Sequence, residues 1–478
     1  MKTKLLFAAL AFLAALLSIS ISHAADITAV GSGNWGDPSV WQEGIVPGTN
    51  DSADVEAPFN ITVDTNAFAD IIYGSGTVTL GPDATLTIFG NYATYQLTTL
   101  DATAAGCTVV YAGNPYYAKR CNYYHLTFAN TNYVDPFPPY YPFQNFNNFS
   151  PDSGGPTPMT IAGNMTMLGH SRVQQASGGA PITVGGNLII GAGCAWDCSG
   201  DNLTVVSNIF IYGLLEDLNG ALGSNYFGGN VIVSGPNTFA PAYAGGPYTN
   251  GWYVSDVITW GVGGGLTNDG AIIGKGYGSI IFEGAGCIAG TNTLKLPTMT
   301  VNGSYTIATT ITLITNTPTL NGTLVFDLAN TNQLVLLANA GTALYYSGNL
   351  NVINSGTSPA SGKSYKLFDA PSYGGDFASI TLPLLNGGLT WVTNLATSGS
   401  FVVEGGAIGT PTLAFSLSGT NLTLTWDTSA FPGFAVQAQT NVAGIQNAPW
   451  TDAGSGGVSP FVTGMNPANP AVFFRLYK

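Results

Sequence analysis

Ionisable side chains are scarce in this sequence, so the few that recur at matched spacing are the first candidates for chemistry. Short apolar words broken by an asparagine repeat along the middle of the chain: IAGNMTM with Asn164, VGGNLII with Asn187, VVSNIFI with Asn208 and FGGNVIV with Asn230. Measured from the preceding asparagine, Arg172 stands at +8, Asp197 at +10, Glu216 at +8 and Asp217 at +9, with His170 at +6 and Trp196 at +9. If each word marks one turn of a stacked structure, these residues form one outward patch. Two carboxylates on neighbouring turns suit acid/base glycoside hydrolysis. Arg172 or His170 could instead be the base of a polysaccharide lyase, with the acids neutralising substrate through Ca²⁺. Trp196 would be the sugar platform. The competing reading is a solvated turn in which Arg172 pairs with Glu216 or Asp217, worth under about 1 kcal/mol.

A second candidate is the aromatic run YVDPFPPYYPFQNFNNF at residues 133–149, with Tyr133, Tyr140, Tyr141 and Phe143 set among Pro136, Pro138, Pro139 and Pro142. The prolines exclude a central strand. The rings form either an exposed platform for sugars or protein, or a loop buried along the wall of the fold. The five cysteines are an odd number, and an exported chain would pair Cys107 with Cys121 and Cys194 with Cys198, leaving Cys287. Two histidines beyond the leader, His125 and His170, are too few for a histidine metal site or a triad. His125, in strand-like text, reads as a packed residue. Acidic groups in Gly/Asn-rich turns could hold Ca²⁺; no other cofactor is expected, and the nonapeptide of calcium β-rolls is absent.

The elements that must position these residues follow from the period. The marker asparagines are 23, 21 and 22 residues apart. Short alternating strands at such a period mark a β-solenoid, in which one coil cannot bury its apolar face without its neighbours. Asparagine tolerates left-handed turns and can form side-chain ladders between stacked strands. The expected fold is therefore all-β: a right-handed parallel β-helix with an N-terminal cap and a small C-terminal β-sandwich. Composition agrees, with 8% charged residues, 12% aromatics and 63 glycines in 478 residues, too long a chain for one compact core.

Lys2 and Lys4, the apolar run 5–17 and Ser22-His23-Ala24 read as an export signal cleaved after Ala24. Cleavage leaves 9 basic against 25 acidic residues, a net charge of −16, which argues against a nucleic-acid partner. No later run is apolar and long enough to span a bilayer. The expected divisions are a signal peptide (1–24), cap and first coils (25–100), solenoid (101–320, with an insertion at about 240–300), a closing unit (321–409) and a sandwich (410–478). Trp35 and Trp41 are expected to cap the open edge of the first coil.

Two stretches carry a resemblance. NWGDPSVWQEGIVPGTNDSADV, with Trp35, Trp41, Gly44, Pro47 and Gly48, resembles the start of secreted bacterial β-solenoid proteins. GTLVFDL, followed by the KLFDA and SITLP strands of residues 347–394, is similar to the closing unit of autotransporter-associated β-strand repeat proteins. The resemblance implies a secreted or surface-displayed stacked β protein, and no defined reaction. The roughly 70 residues after Gly409 are too few for a membrane barrel of eight or more strands. The function expected is structural or adhesive, contacting extracellular glycans or surface proteins. The alternative is a polysaccharide lyase or glycoside hydrolase working on the outer wall.

Overall fold

The computed structural model describes residues 24–90, 97–113, 117–130, 147–149, 158–169, 171–174, 181–198, 202–216, 224–234, 242–243, 246–247, 251–254, 259–270, 272–274, 278–337, 343–405, 411–440, 445, 449–469 and 471–478. They form a parallel β-solenoid. Each full coil contributes one strand to each of three walls, of fourteen, eleven and eight strands. One coil runs Ile182–Val184, Leu188–Ile190 and Ala195–Asp197, and the next runs Leu203–Val205, Ile209–Ile211 and Leu214–Glu216. All three pairs are parallel and in register, with Ile182 opposite Leu203, Leu188 opposite Ile209 and Ala195 opposite Leu214.

The alternation of the words explains the core. In Leu188–Ile190 and Ile209–Ile211 the first and third side chains point inward and are fully buried, while Ile189 and Phe210 stay half-exposed. Burying each such aliphatic contributes about 1.5–3 kcal/mol, and it does so only when the next coil covers it.

The corners are where the asparagine words act. Asn164 Oδ1 accepts from Asn187 N at 2.8 Å, Asn187 Oδ1 from Asn208 N at 3.1 Å, Asn208 Oδ1 from Asn230 N at 2.8 Å, and Asn230 Oδ1 from Gly265 N at 2.8 Å. His125 heads this ladder: its Nδ1 accepts from Asn164 N at 2.9 Å. It is thus half-buried at a corner, taking the place of an asparagine.

The expected insertion at about 240–300 is corrected. Thr259–Val262, Leu266–Asp269 and Ile272–Gly274 form a regular coil, and Ser279–Phe282, Ala285–Ala289 and Leu294–Leu296 form the next. Trp260 is fully buried. Among the described residues, the interruption lies between Val231–Ser234 and Gly251–Val254, where Ala242–Tyr243 and Gly246–Pro247 pair with each other. After Asn230 the corner asparagine gives way to Gly265, and the later corners carry Asn302-Gly303, Asn321-Gly322 and Gly348-Asn349, with Asn321 Nδ2 donating to Asn302 Oδ1 at 3.0 Å. A Cβ on Gly284, Gly303 or Gly322 would lie 2.0, 1.7 or 1.9 Å from the carbonyl oxygen of Gly263, Gly284 or Gly303, the glycine one coil earlier. Backbone meets backbone there, and no larger residue fits.

At the N-terminal end, Trp35 and Trp41 are buried edge-to-face at 5.1 Å, and Trp41 Nε1 donates to the Trp35 carbonyl at 2.8 Å. At the other end the KLFDA text supplies Phe368–Asp369, the last strand of the eleven-stranded wall, and SITLP supplies Ser379–Thr381, the last of the fourteen-stranded wall. Beyond residue 410 lie two three-stranded antiparallel sheets with their own apolar cluster of Leu422, Leu424, Trp426 and Val436.

Candidate functional site

The patch expected from spacing falls on the eleven-stranded wall, and the register sorts its members. Gln174, Asp197 and Glu216 are Cα partners on three successive coils, whereas Arg172 pairs with Ala195, two positions earlier along the strand. Asp197 and Glu216 are therefore neighbours at about 4.8 Å of coil rise, and Arg172 is offset from them. His170 and Asp217 lie outside the described residues.

Trp196 is not a sugar platform: it is fully buried. Cys194, Trp196 and Cys198 alternate along Ala195–Asp197 and its flanks, and all three face the core. Counting from the corner asparagine located the strand but misjudged its phase by one residue, which in a strand exchanges inside for outside. The same extended geometry corrects the Cys194–Cys198 bridge. Four residues of strand place the two Cα atoms about 13 Å apart, against a limit of about 7 Å for a disulfide. Cys107 is a thiol as well: it donates to the Ala102 carbonyl at 3.1 Å, while the Cys121 side chain hydrogen-bonds the Tyr123 hydroxyl. Tyr133, Tyr140, Tyr141 and Phe143 lie outside the described residues.

The structure gathers a polar group that the spacing did not reveal. Asp26–Thr28, Ser52–Asp54 and Ile71–Leu80 are adjacent strands of the N-terminal sheet, with Thr28 opposite Asp54 and Asp54 opposite Tyr73. The Tyr73 hydroxyl donates to Asp26, and Ser75 donates to Glu56 from both its hydroxyl and its amide. Burial, reinforced by the Glu56 and Asp26 charges, pushes the Asp54 carboxyl up, while the Ser75 bonds hold Glu56 down. Burial and the bond to Asp26 push the Tyr73 phenol up. Among the described residues no group of three or more His, Cys, Asp or Glu is arranged to hold a metal.

The most extended surface feature is the outer face of the fourteen-stranded wall. One outward row runs through Phe68, Thr87, Val110, Thr127, Thr166, Ile189, Phe210, Ile232 and Thr267, each the register partner of the next. It contains no ionisable side chain in a chain of net charge −14. Nine strands at about 4.8 Å spacing give a row about 38 Å long. Tyr212 stacks on Phe210 of this row at 6.4 Å and is 38% exposed. The signal was present in the sequence as the outward half of every alternating word, but it becomes a single row only once the coils are in register. No protein-family model, curated protein or solved structure matches the chain.

Proposed function

We propose that the chain is a secreted or cell-surface structural and adhesive β-solenoid that contacts extracellular glycans. The observation that carries this reading is the neutral outward row of the fourteen-stranded wall. The row presents both hydroxyls, with Thr127 beside Thr166, and apolar side chains, with Ile189, Phe210 and Ile232 in succession, as a neutral polysaccharide presents both hydroxyls and C–H faces, and aromatic side chains are the usual partners of sugar rings. A fixed row of this length would hold an extended polymer without first ordering it. The leader expected from the sequence at residues 1–24 and the resemblance to secreted β-strand repeat proteins support export, and a sandwich at residues 410–478 would give the solenoid a terminal module. No helix among the described residues is long and apolar enough to cross a membrane.

The test is retention of the leader-free protein on insoluble neutral polymers such as cellulose and chitin, with alginate and polygalacturonate for comparison. Retention on the neutral polymers that is lost in Phe210→Glu supports the reading. Failure to bind any of the polymers overturns the glycan contact.

The adjacent-coil positions of Asp197 and Glu216 favour a second reading, a glycoside hydrolase or polysaccharide lyase on the eleven-stranded wall. Release of new reducing ends that disappears in Glu216→Gln or Arg172→Ala would establish it.

A further inference from the structure

Among the described residues, the strand Ala414–Ser418 is an edge strand of the first C-terminal sheet, paired on one side only, with Asn421–Thr425. All five of its residues are exposed. Natural edge strands are usually blunted by shortness, charge or proline, and the other edges of these two sheets are. Thr451–Asp452 has two residues and ends in a carboxylate, Phe461–Gly464 follows Pro460, and Phe473–Tyr477 carries Arg475. Ala414–Ser418 has five residues and neither charge nor proline.

Its side chains are unfinished as well as its backbone. Phe415 is the register partner of Leu424, and Leu417 of Leu422. Cross-strand partners share a face, so Phe415 and Leu417 stand on the face that carries the buried core. Leu424 and Leu422 are 3% and 8% exposed there, whereas Phe415 and Leu417 are 76% and 62% exposed. The apolar layer continues past the edge of what covers it.

The geometry points to a second copy of this chain as the occupant: Ala414–Ser418 pairs antiparallel with its own counterpart about a two-fold axis through Ser416. In that register Ser416 faces Ser416 of the other copy, and each Phe415 faces the other's Leu417, an aromatic–aliphatic cross-strand pair. Two three-stranded sheets become one of six strands, and both apolar pairs are covered. Charge permits the same occupant. Two leader-free chains of net charge −16 repel each other, but residues 405–426 contain no charged side chain, so the copies can meet at this strand without bringing like charges of that segment together. The pairing consumes the edge it uses, so it closes at a dimer and does not propagate. It is independent of whether the solenoid wall binds a glycan.

The experiment is sedimentation velocity of the full leader-free chain over a concentration series. Native protein should show a concentration-dependent monomer–dimer equilibrium. Ser416→Lys places two ammonium groups across the axis on strands whose Cα atoms are about 5 Å apart. It should weaken self-association by about tenfold or more, because like charges directly opposite oppose pairing. Ser416 is exposed, so an unchanged near-ultraviolet spectrum and an unchanged melting temperature confirm that the fold is intact. Val458→Lys, on another exposed apolar side chain, should leave the equilibrium unchanged. Amide exchange of residues 414–418 should slow as the dimer fills. A protein that is monomeric throughout the series, a dimer indifferent to Ser416→Lys, or open-ended assembly would each overturn the proposal.

Discussion

Replacing Asn208 by alanine tests the corner ladder at its middle. The carboxamide has two duties. Its Oδ1 takes the Asn230 amide of the next coil at 2.8 Å, and its Nδ2 reaches back to Asn187 Oδ1 at 3.3 Å. Alanine removes both. The second bond is long, and Asn187 Oδ1 keeps the Asn208 backbone amide at 3.1 Å and the Ser207 hydroxyl at 3.0 Å, so most of the loss falls on Asn230. An ordinary intramolecular hydrogen bond contributes about 1 kcal/mol net, and a donor left bare costs up to about 3. Asn230 is exposed, so water takes over part of the bond, and the expected cost is about 1–2 kcal/mol. In a stacked array that cost belongs to the contact between two coils. Global unfolding would dilute it, so the suitable assay is native-state amide exchange at Asn230. A loss of 1.4 kcal/mol quickens exchange about tenfold, if exchange proceeds through local opening. Asn208→Asp retains an acceptor oxygen and should exchange more slowly than the alanine variant. Unchanged exchange at Asn230 in Asn208→Ala would refute the view that asparagine corners join coil to coil.

Three further outcomes follow from the same framework. Gly303→Ala should cost about 3 kcal/mol or prevent folding, because its Cβ would sit 1.7 Å from the Gly284 carbonyl oxygen, whereas Gly36→Ala, with nothing within 4 Å, should be silent in a thermal melt. Ile209→Ala removes a fully buried side chain of the central core and should cost about 2–5 kcal/mol in denaturant unfolding. Asp54→Asn should raise the melting temperature at pH 7. A carboxyl whose pKa is raised on folding favours the native state when protonated and loses that contribution as pH rises through the native pKa. The gain should therefore vanish below about pH 4, near the ordinary carboxyl value of 3.8, and a melt series from acid to neutral pH checks it.

Much of the solenoid could be read in the sequence because one small motif did two jobs. The Gly-Asn words set a turn and supply an acceptor for the next turn, and both requirements fix residue type. In the coils of residues 259–296, where Gly265 takes the marker's place and Gly284 follows, no Gly-Asn word appears and regular coils looked like an insertion. The site was less legible for two physical reasons. Inside and outside differ by one residue in a strand, so a spacing good to within two residues could place Trp196 on the right wall and on the wrong face of it. The Asp26, Asp54 and Tyr73 group shares adjacent strands although its members are tens of residues apart, and only the register between strands reveals such neighbours. The neutral row from Phe68 to Thr267 is of the same kind, since each strand contributes a single unremarkable threonine, valine or isoleucine to it.

The corner bonds make the length of this molecule countable. Asn187 and Asn208 occupy equivalent places, and so do the strands that follow them, so removing residues 187–207 would join Gly186 to Asn208 and return the Asn208 amide to Asn164 Oδ1. The shortened protein would lose one rung of about 4.8 Å with every remaining contact of an existing kind. Gain or loss of whole rungs is thus a route by which such a solenoid can be lengthened or shortened without redesigning its ends, and its length takes discrete values.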